Sequence, residues 1–140
     1  MAAAFIQPSA ANLVAFEKVS PGRPVNMLNF LRYRELACYP EDHAHASNQW
    51  SGARAYQQYG AEIAGPFGRS GAKILWQSAP LGTVIGPDGE NWDAMLVVEY
   101  PNAQAFQTMI SDPEYLVGAV NRTAALADSR LYLTQPTPQS

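Results

Sequence analysis

The apolar positions fall into two kinds of pattern. The strongest stretch runs from Trp92 to Tyr100, where Met95-Leu96-Val97-Val98 has no breaker and Glu99 sits near the end. A near-continuous apolar run of this kind reads as a central strand. Pro101 cannot donate to a ladder and stops it. Asn102 then caps a helix over about Ala103 to Ile110 that turns Ala105, Phe106 and Met109 inward. Ser111-Asp112-Pro113 starts a second helix, reaching about Ala127, with Tyr115, Leu116, Ala119 and Val120 as its inward face.

Upstream, Pro24 to Tyr33 has the period of a strand. Val25, Met27, Asn29, Leu31 and Tyr33 share one face, and Asn26, Leu28, Phe30 and Arg32 the other. Ser51 or Gly52 opens a helix to about Ala64, with Ala55, Tyr56, Tyr59 and Ile63 at helical spacing and Gly65-Pro66 as the stop. Ala72 to Ile85 reads as one long strand or a bent pair broken at Ala79-Pro80. Gly86-Pro87-Asp88-Gly89 turns it into the central strand. Ser129 to Thr134 is a last strand, and Pro136 to Ser140 a frayed tail. Before the first strand, Ser9 caps a helix over Ala10 to Val19 that Pro21-Gly22 ends; Arg34 to Trp50 is a long loop.

The core order is β-α-β-β-α-β, an α+β, ferredoxin-like arrangement with a four-stranded antiparallel sheet, here with an extra N-terminal helix. Residues 1–140 form one domain, with a core of about 24–134 and an N-terminal extension over 1–23. Helices cover one face of such a sheet. A second copy is expected to cover the other, and the composition agrees: 47% of residues are hydrophobic and only 15% charged.

A net charge of −3 with scattered arginines gives no basic patch, so nucleic acid is not expected as a partner. Cys38 is the only cysteine, which excludes an intrachain disulfide and a cysteine-based metal site. No apolar window approaches the ~20 residues of a membrane helix, and the first ten residues lack a signal-peptide pattern. A cytoplasmic location is the expectation.

Several short motifs carry a family likeness: Tyr56-x-x-Tyr59, Gly71 opening the second strand, Val98-Glu99-Tyr100-Pro101-Asn102, and Asp112-Pro113-Glu114-Tyr115 followed by Arg122. In this order the chain resembles the "domain of unknown function thirteen-thirty" family of the dimeric α+β barrel superfamily, over roughly Val25 to Leu133. The resemblance implies a homodimer whose two sheets face each other as a barrel. It implies no catalytic role, because the family has no established activity. Superfamily relatives include cofactor-free monooxygenases, muconolactone isomerases and haem-dependent enzymes. The chain departs from the family in its N-terminal helix, its Arg34–Trp50 loop, and Gly86, where an acidic residue is common.

Candidate chemistry comes from side-chain type. Glu99, a carboxylate in an apolar strand, needs a partner or a raised pKa. It is either a general base or half of a structural ion pair, for which Arg122 is the attractive partner. Arg122 could otherwise hold a substrate carboxylate in a fork. His43 and His45 alternate in an extended loop and carry the ring suited to proton transfer near neutrality. No third ligand completes a metal site with them, so no metal is expected. Asn29 with Tyr33 suits a cleft, or equally a polar dimer interface; Tyr59 and Trp76 could wall a pocket but also suit core packing. Two functions stand open. One is an enzyme without a bound organic cofactor, doing proton transfer or oxygenation on a small, partly apolar molecule. The other is a non-catalytic ligand-binding or assembly module.

Overall fold

Alternating side chains make a sheet with two unlike faces. In the computed structural model, which describes residues 4–138, four strands form it: β1 (Val25–Tyr33), β2 (Lys73–Ser78), β3 (Ala94–Tyr100) and β4 (Leu126–Thr134). Their spatial order is β2-β3-β1-β4 and every neighbouring pair is antiparallel. The helices are α1 (Gly52–Glu62), α2 (Ala64–Arg69), α3 (Ala103–Ser111) and α4 (Pro113–Ala125). This is the ferredoxin-like α+β fold, with α1 and α4 packed on each other.

The caps are those the sequence predicts. Ser51 accepts from Arg54 N–H, Asn102 from Ala105 N–H, and Asp112 from Glu114 N–H with Pro113 in the first turn. Val25, Met27, Val98 and Tyr100 pack against Phe106 and Met109 in one core cluster. Leu31, Ala55, Ala125 and Leu126 make a second. The opposite sheet face carries Leu28, Phe30, Met95, Val97, Trp76 and Tyr132, and no helix of the described residues packs over it. Trp76 is 52% exposed and Tyr132 51%.

Four expectations are corrected. The second strand ends at Ser78 instead of continuing to Ile85, because Pro80 removes a ladder donor and Gly82 further weakens strand formation. Gly65-Pro66 does not end the helical region: Pro66 sits in the first turn of α2, where a missing N–H costs nothing. The N-terminal helix is a 3₁₀ segment over Asn12–Lys18 without a buried residue, although Phe16 stacks on Phe106 at 5.9 Å. The buried residues of α4 are Gly118, Asn121, Ala124 and Ala125, whereas Leu116 is 55% exposed. Small residues win that face because α4 crosses α1 closely. A Cβ on Gly118 would lie 2.8 Å from Ile63 Cγ2. The tail expected over 136–140 ends, in its last two residues, outside the described ones.

Candidate functional site

The loop between β1 and α1 is pinned at both ends. Arg34 N–H donates to Ala125 O at 2.8 Å and Gly52 N–H to Arg34 O at 2.9 Å. Ala37 N–H reaches Trp50 O and Cys38 N–H reaches Ala124 O, each at 2.9 Å. The span between them coils in short turns, with Gln49 held at φ 54°. It is therefore an ordered flap on α1 and α4.

This anchoring stacks four rings. Tyr39 lies on His43 at 4.8 Å between centroids and meets His45 edge-on at 5.6 Å; His45 packs on Trp50 at 4.6 Å. Arg54 covers the other part of the cluster, 4.0 Å over the Trp50 ring. Glu62, at the end of α1, takes His45 Nε2 at 3.2 Å and the Gln58 amide at 2.8 Å. Asn121 is fully buried; its Oδ1 accepts from Tyr39 O–H at 2.5 Å and its Nδ2 donates to Gly118 O at 3.0 Å. Partial burial works to raise the Glu62 pKa, but hydrogen bonds from Gln58, His45 and Asn121 outweigh it and hold the carboxyl below its ordinary value. Burial, and then the Glu62 charge, push the Tyr39 phenol up.

A carboxylate only accepts, so His45 donates from Nε2 to Glu62, and in the neutral ring this leaves Nδ1 as the acceptor. That nitrogen faces the exposed Asn48 amide at 3.3 Å. His43 Nδ1 accepts the His45 backbone N–H at 3.0 Å, which fixes its ring too. Beside Tyr39 a shallow apolar groove of about 500 Å³ runs along α4, lined by Cys38, Pro40, Leu116, Val120 and Ala124 among others.

The residues singled out in the sequence do not share one site. His43 and His45 lie in this network. Glu99 faces the opposite side of the sheet, as its buried neighbours Val98 and Tyr100 require. Trp76 is on that face as well, since it pairs with Val97 after a bulge. Arg122 lies on α4, across the sheet from Glu99, so the two form no ion pair. Its guanidinium instead donates to Ile6 O at 2.7 Å and reaches Ser129 Oγ at 3.5 Å, strapping the N-terminal segment to β4.

Tyr33 and Tyr59 belong to a row of tyrosines with Tyr56 and Tyr115, and Asn29 bonds only within its own strand. Tyr59 O–H and Tyr115 O–H are 3.0 Å apart, Tyr33 packs on Tyr56, and Asn29 Nδ2 bonds Met27 O. Burial pushes the Tyr56 phenol up to about 12 and Tyr59 well above its ordinary value. Tyr39, Trp50, Glu62 and Asn121 were missed by the sequence reading. The one signal for them is an amide, Asn121, amid the Ala and Val of a buried helix face. Among the described residues, no three His, Cys, Asp or Glu side chains converge as metal ligands. No helix of the described residues is long and apolar enough to cross a membrane.

Neither a protein-family model nor a curated protein matches the chain. Solved structures do. A protein of unknown function from Rhodopseudomonas palustris is 35% identical, with a TM-score of 0.85 covering 98% of this chain and 100% of that one. The hydroxynitrile lyase of Passiflora edulis is 11% identical, TM-score 0.54, over 86% of this chain and 99% of its own. A dabb family protein with a ferredoxin-like fold from Mesorhizobium loti is 10% identical, TM-score 0.54, over 82% and 98%. The last two share the fold alone.

Proposed function

The chain belongs to the family of the Rhodopseudomonas palustris protein of unknown function, and for it we propose a proton-transfer enzyme that works without a bound organic cofactor. The observation that carries the reading is the Glu62–His45 pair. A carboxylate fixes one ring nitrogen as donor and leaves the other as a base on the accessible side. Tyr39 stands between this pair and the apolar groove, and can donate to a developing oxyanion once its O–H turns away from Asn121 Oδ1. The substrate is a small, partly apolar carbon acid, its apolar part against Leu116 and Val120. His45 Nδ1 takes a proton from carbon once the substrate displaces the Asn48 amide. His43 supports the ring through the His45 backbone.

The protein acts as a homodimer in this proposal, with the open sheet faces joined, and Glu99 and Trp76 belong to that interface. The Arg122 strap and the Tyr33–Tyr56–Tyr59–Tyr115 row position the helices, and Asn29 bonds within its own strand. The narrower likeness to the "domain of unknown function thirteen-thirty" family, carried by Tyr56, Tyr59 and Glu114-Tyr115, is part of the same proposal. So is a bacterial cytoplasmic setting, which suits a lone, exposed Cys38.

The test is solvent exchange. A panel of small aromatic and cyclic ketones in D₂O is followed by NMR for deuterium uptake at the acidic carbon. At least one compound should exchange faster with the wild type. His45→Gln and Glu62→Gln should lose about 10²-fold or more of that rate, measured well below the melting temperature of each variant. Equal exchange by wild type and His45→Gln across the panel refutes the enzyme. The second reading, a non-catalytic binding module, is favoured by one observation: both His45 ring nitrogens already have partners. Saturable shifts at Tyr39 and Leu116 without any exchange would establish it.

A further inference from the structure

One indole gathers the unlike groups of the candidate site. From the centroid of the Trp50 ring, the Arg54 guanidinium carbon is 4.0 Å away, the His45 ring 4.6 Å and the Tyr39 ring 6.2 Å. The backbone is bent to set that indole there. Gln49, just before it, is the one non-glycine residue at positive φ among the described residues. A long side chain seldom adopts that conformation unless its surroundings hold it.

Arg54 is the cation of the group. It is half-buried in the first turn of α1, on a polar line with Gln58 and Glu62 at four-residue spacing. Its Nη1 donates to Gln58 Oε1 at 3.2 Å, and Gln58 Nε2 donates to Glu62 Oε2 at 2.8 Å. Among the described residues its Nε and Nη2 have no partner, and no carboxylate lies within ion-pair distance of it. A guanidinium laid on an aromatic face with one edge free is a fork for a planar anion. The groove beside Tyr39 is lined without a charged residue, so it suits the apolar end of a ligand and leaves a charged end to Arg54.

The spacing limits the ligand. Because Arg54 and His45 lie against the same ring, they are at most about 9 Å apart. A hydrogen bond of about 3 Å at one end and a near-attack contact of about 3 Å at the other leave room for about two carbon–carbon bonds.

The inference rests on the proton-transfer reading and names its substrate class. We propose that the carbon acid is an oxo acid, its carboxylate forked by Arg54 Nε and Nη2, with one carbon between that carboxylate and the acidic C–H. His45 Nδ1 takes the proton, and the C–H electron pair becomes the enolate, whose oxygen accepts from Tyr39 O–H. Return of a proton from the same nitrogen to carbon restores both partners. Arg54 grips the carboxylate alike before and after proton removal, so its effect falls on KM.

Two oxo acids, 2-oxobutanoate and 4-oxopentanoate, join the ketone panel in D₂O together with their methyl esters. Exchange at C3 is followed by NMR and expressed over each compound's uncatalysed rate. The wild type should prefer each acid to its ester by about tenfold or more in kcat/KM. Arg54→Gln should cut that preference about tenfold to a hundredfold, through KM for the acid. Gln58→Leu, which breaks only the line to Glu62, should keep the preference. A wild type that treats acid and ester alike overturns the carboxylate site and spares the proton-transfer reading. So does an Arg54→Gln variant that slows acid and ester equally, because Arg54 then acts only through Gln58. Exchange of no acid, ester or ketone overturns both. If Arg54→Gln does not fold, Arg54→Lys replaces it. Lysine keeps the charge but loses the fork, so the preference should fall about threefold or more, and an unchanged preference overturns the site.

Discussion

Gly52 is the position where three pieces of backbone touch, and Gly52→Ala should unfold more of this protein than any surface change. The first residue of α1 donates its N–H to Arg34 O at 2.9 Å, and Arg34 N–H donates to Ala125 O at 2.8 Å. A methyl group at Gly52 would stand 2.6 Å from Ala125 O and 2.7 Å from Arg34 N. Neither neighbour is a side-chain tip that can swing away. Relief requires α1 to draw back from the ends of β1 and α4.

Overpacking of this kind costs about 1–3 kcal/mol. Two stretched hydrogen bonds add about 1 kcal/mol each, and alanine's helix propensity returns up to about 1 kcal/mol. The net loss is about 2–4 kcal/mol, or roughly 10 °C in melting temperature for a chain of this size. Gly60 in the same helix is the control. A Cβ there meets nothing within 4 Å, so Gly60→Ala should gain about 0.5–1 kcal/mol. Urea unfolding at fixed protein concentration, read by tryptophan fluorescence, measures both. Stabilities for the two variants within about 0.5 kcal/mol of each other would refute the argument, since the change in chemistry is the same.

The site and the strap yield two further expected outcomes. The Glu62 carboxyl is held below its ordinary value in the fold, so its contribution is complete above the unfolded pKa and fades as pH falls through the folded one. Thermal melts from pH 7 to 3 should therefore show Glu62→Gln less stable than wild type at neutrality, with the gap closing in acid; a constant gap contradicts the linkage. Arg122→Ala removes the charged donor to Ile6 O, a bond worth about 1.5–3 kcal/mol. Hydrogen exchange should speed up at residues 5–7 while Tyr59 keeps its protection, and unchanged exchange at the strap would make Arg122 a ligand-binding candidate again.

The helix caps and strand faces were legible in the chain, whereas the end of β2 and the start of α2 were not. Ser51, Asn102 and Asp112 cap where a short polar side chain precedes an apolar helical stripe, and Pro101 ends β3 where a donor is missing. Strand parity alone put Val25, Met27 and Leu31 on one face and Leu28 and Phe30 on the other, because successive Cβ atoms alternate. The same parity sends Glu99 away from the helices, and so from Arg122; what was missing was knowledge of the single face that α4 covers. The functional grouping is a product of tertiary structure. Tyr39 meets Asn121 across 82 residues of chain, and His45 meets Glu62 across 17. Nothing periodic in the sequence encodes such contacts, since they depend on where a loop without secondary structure is pinned. That pinning is set by backbone bonds from Arg34, Ala37 and Cys38 to Ala125, Trp50 and Ala124. Hydrophobic periodicity determined the layers, and the closing of one irregular loop onto two helices decided which polar groups came together.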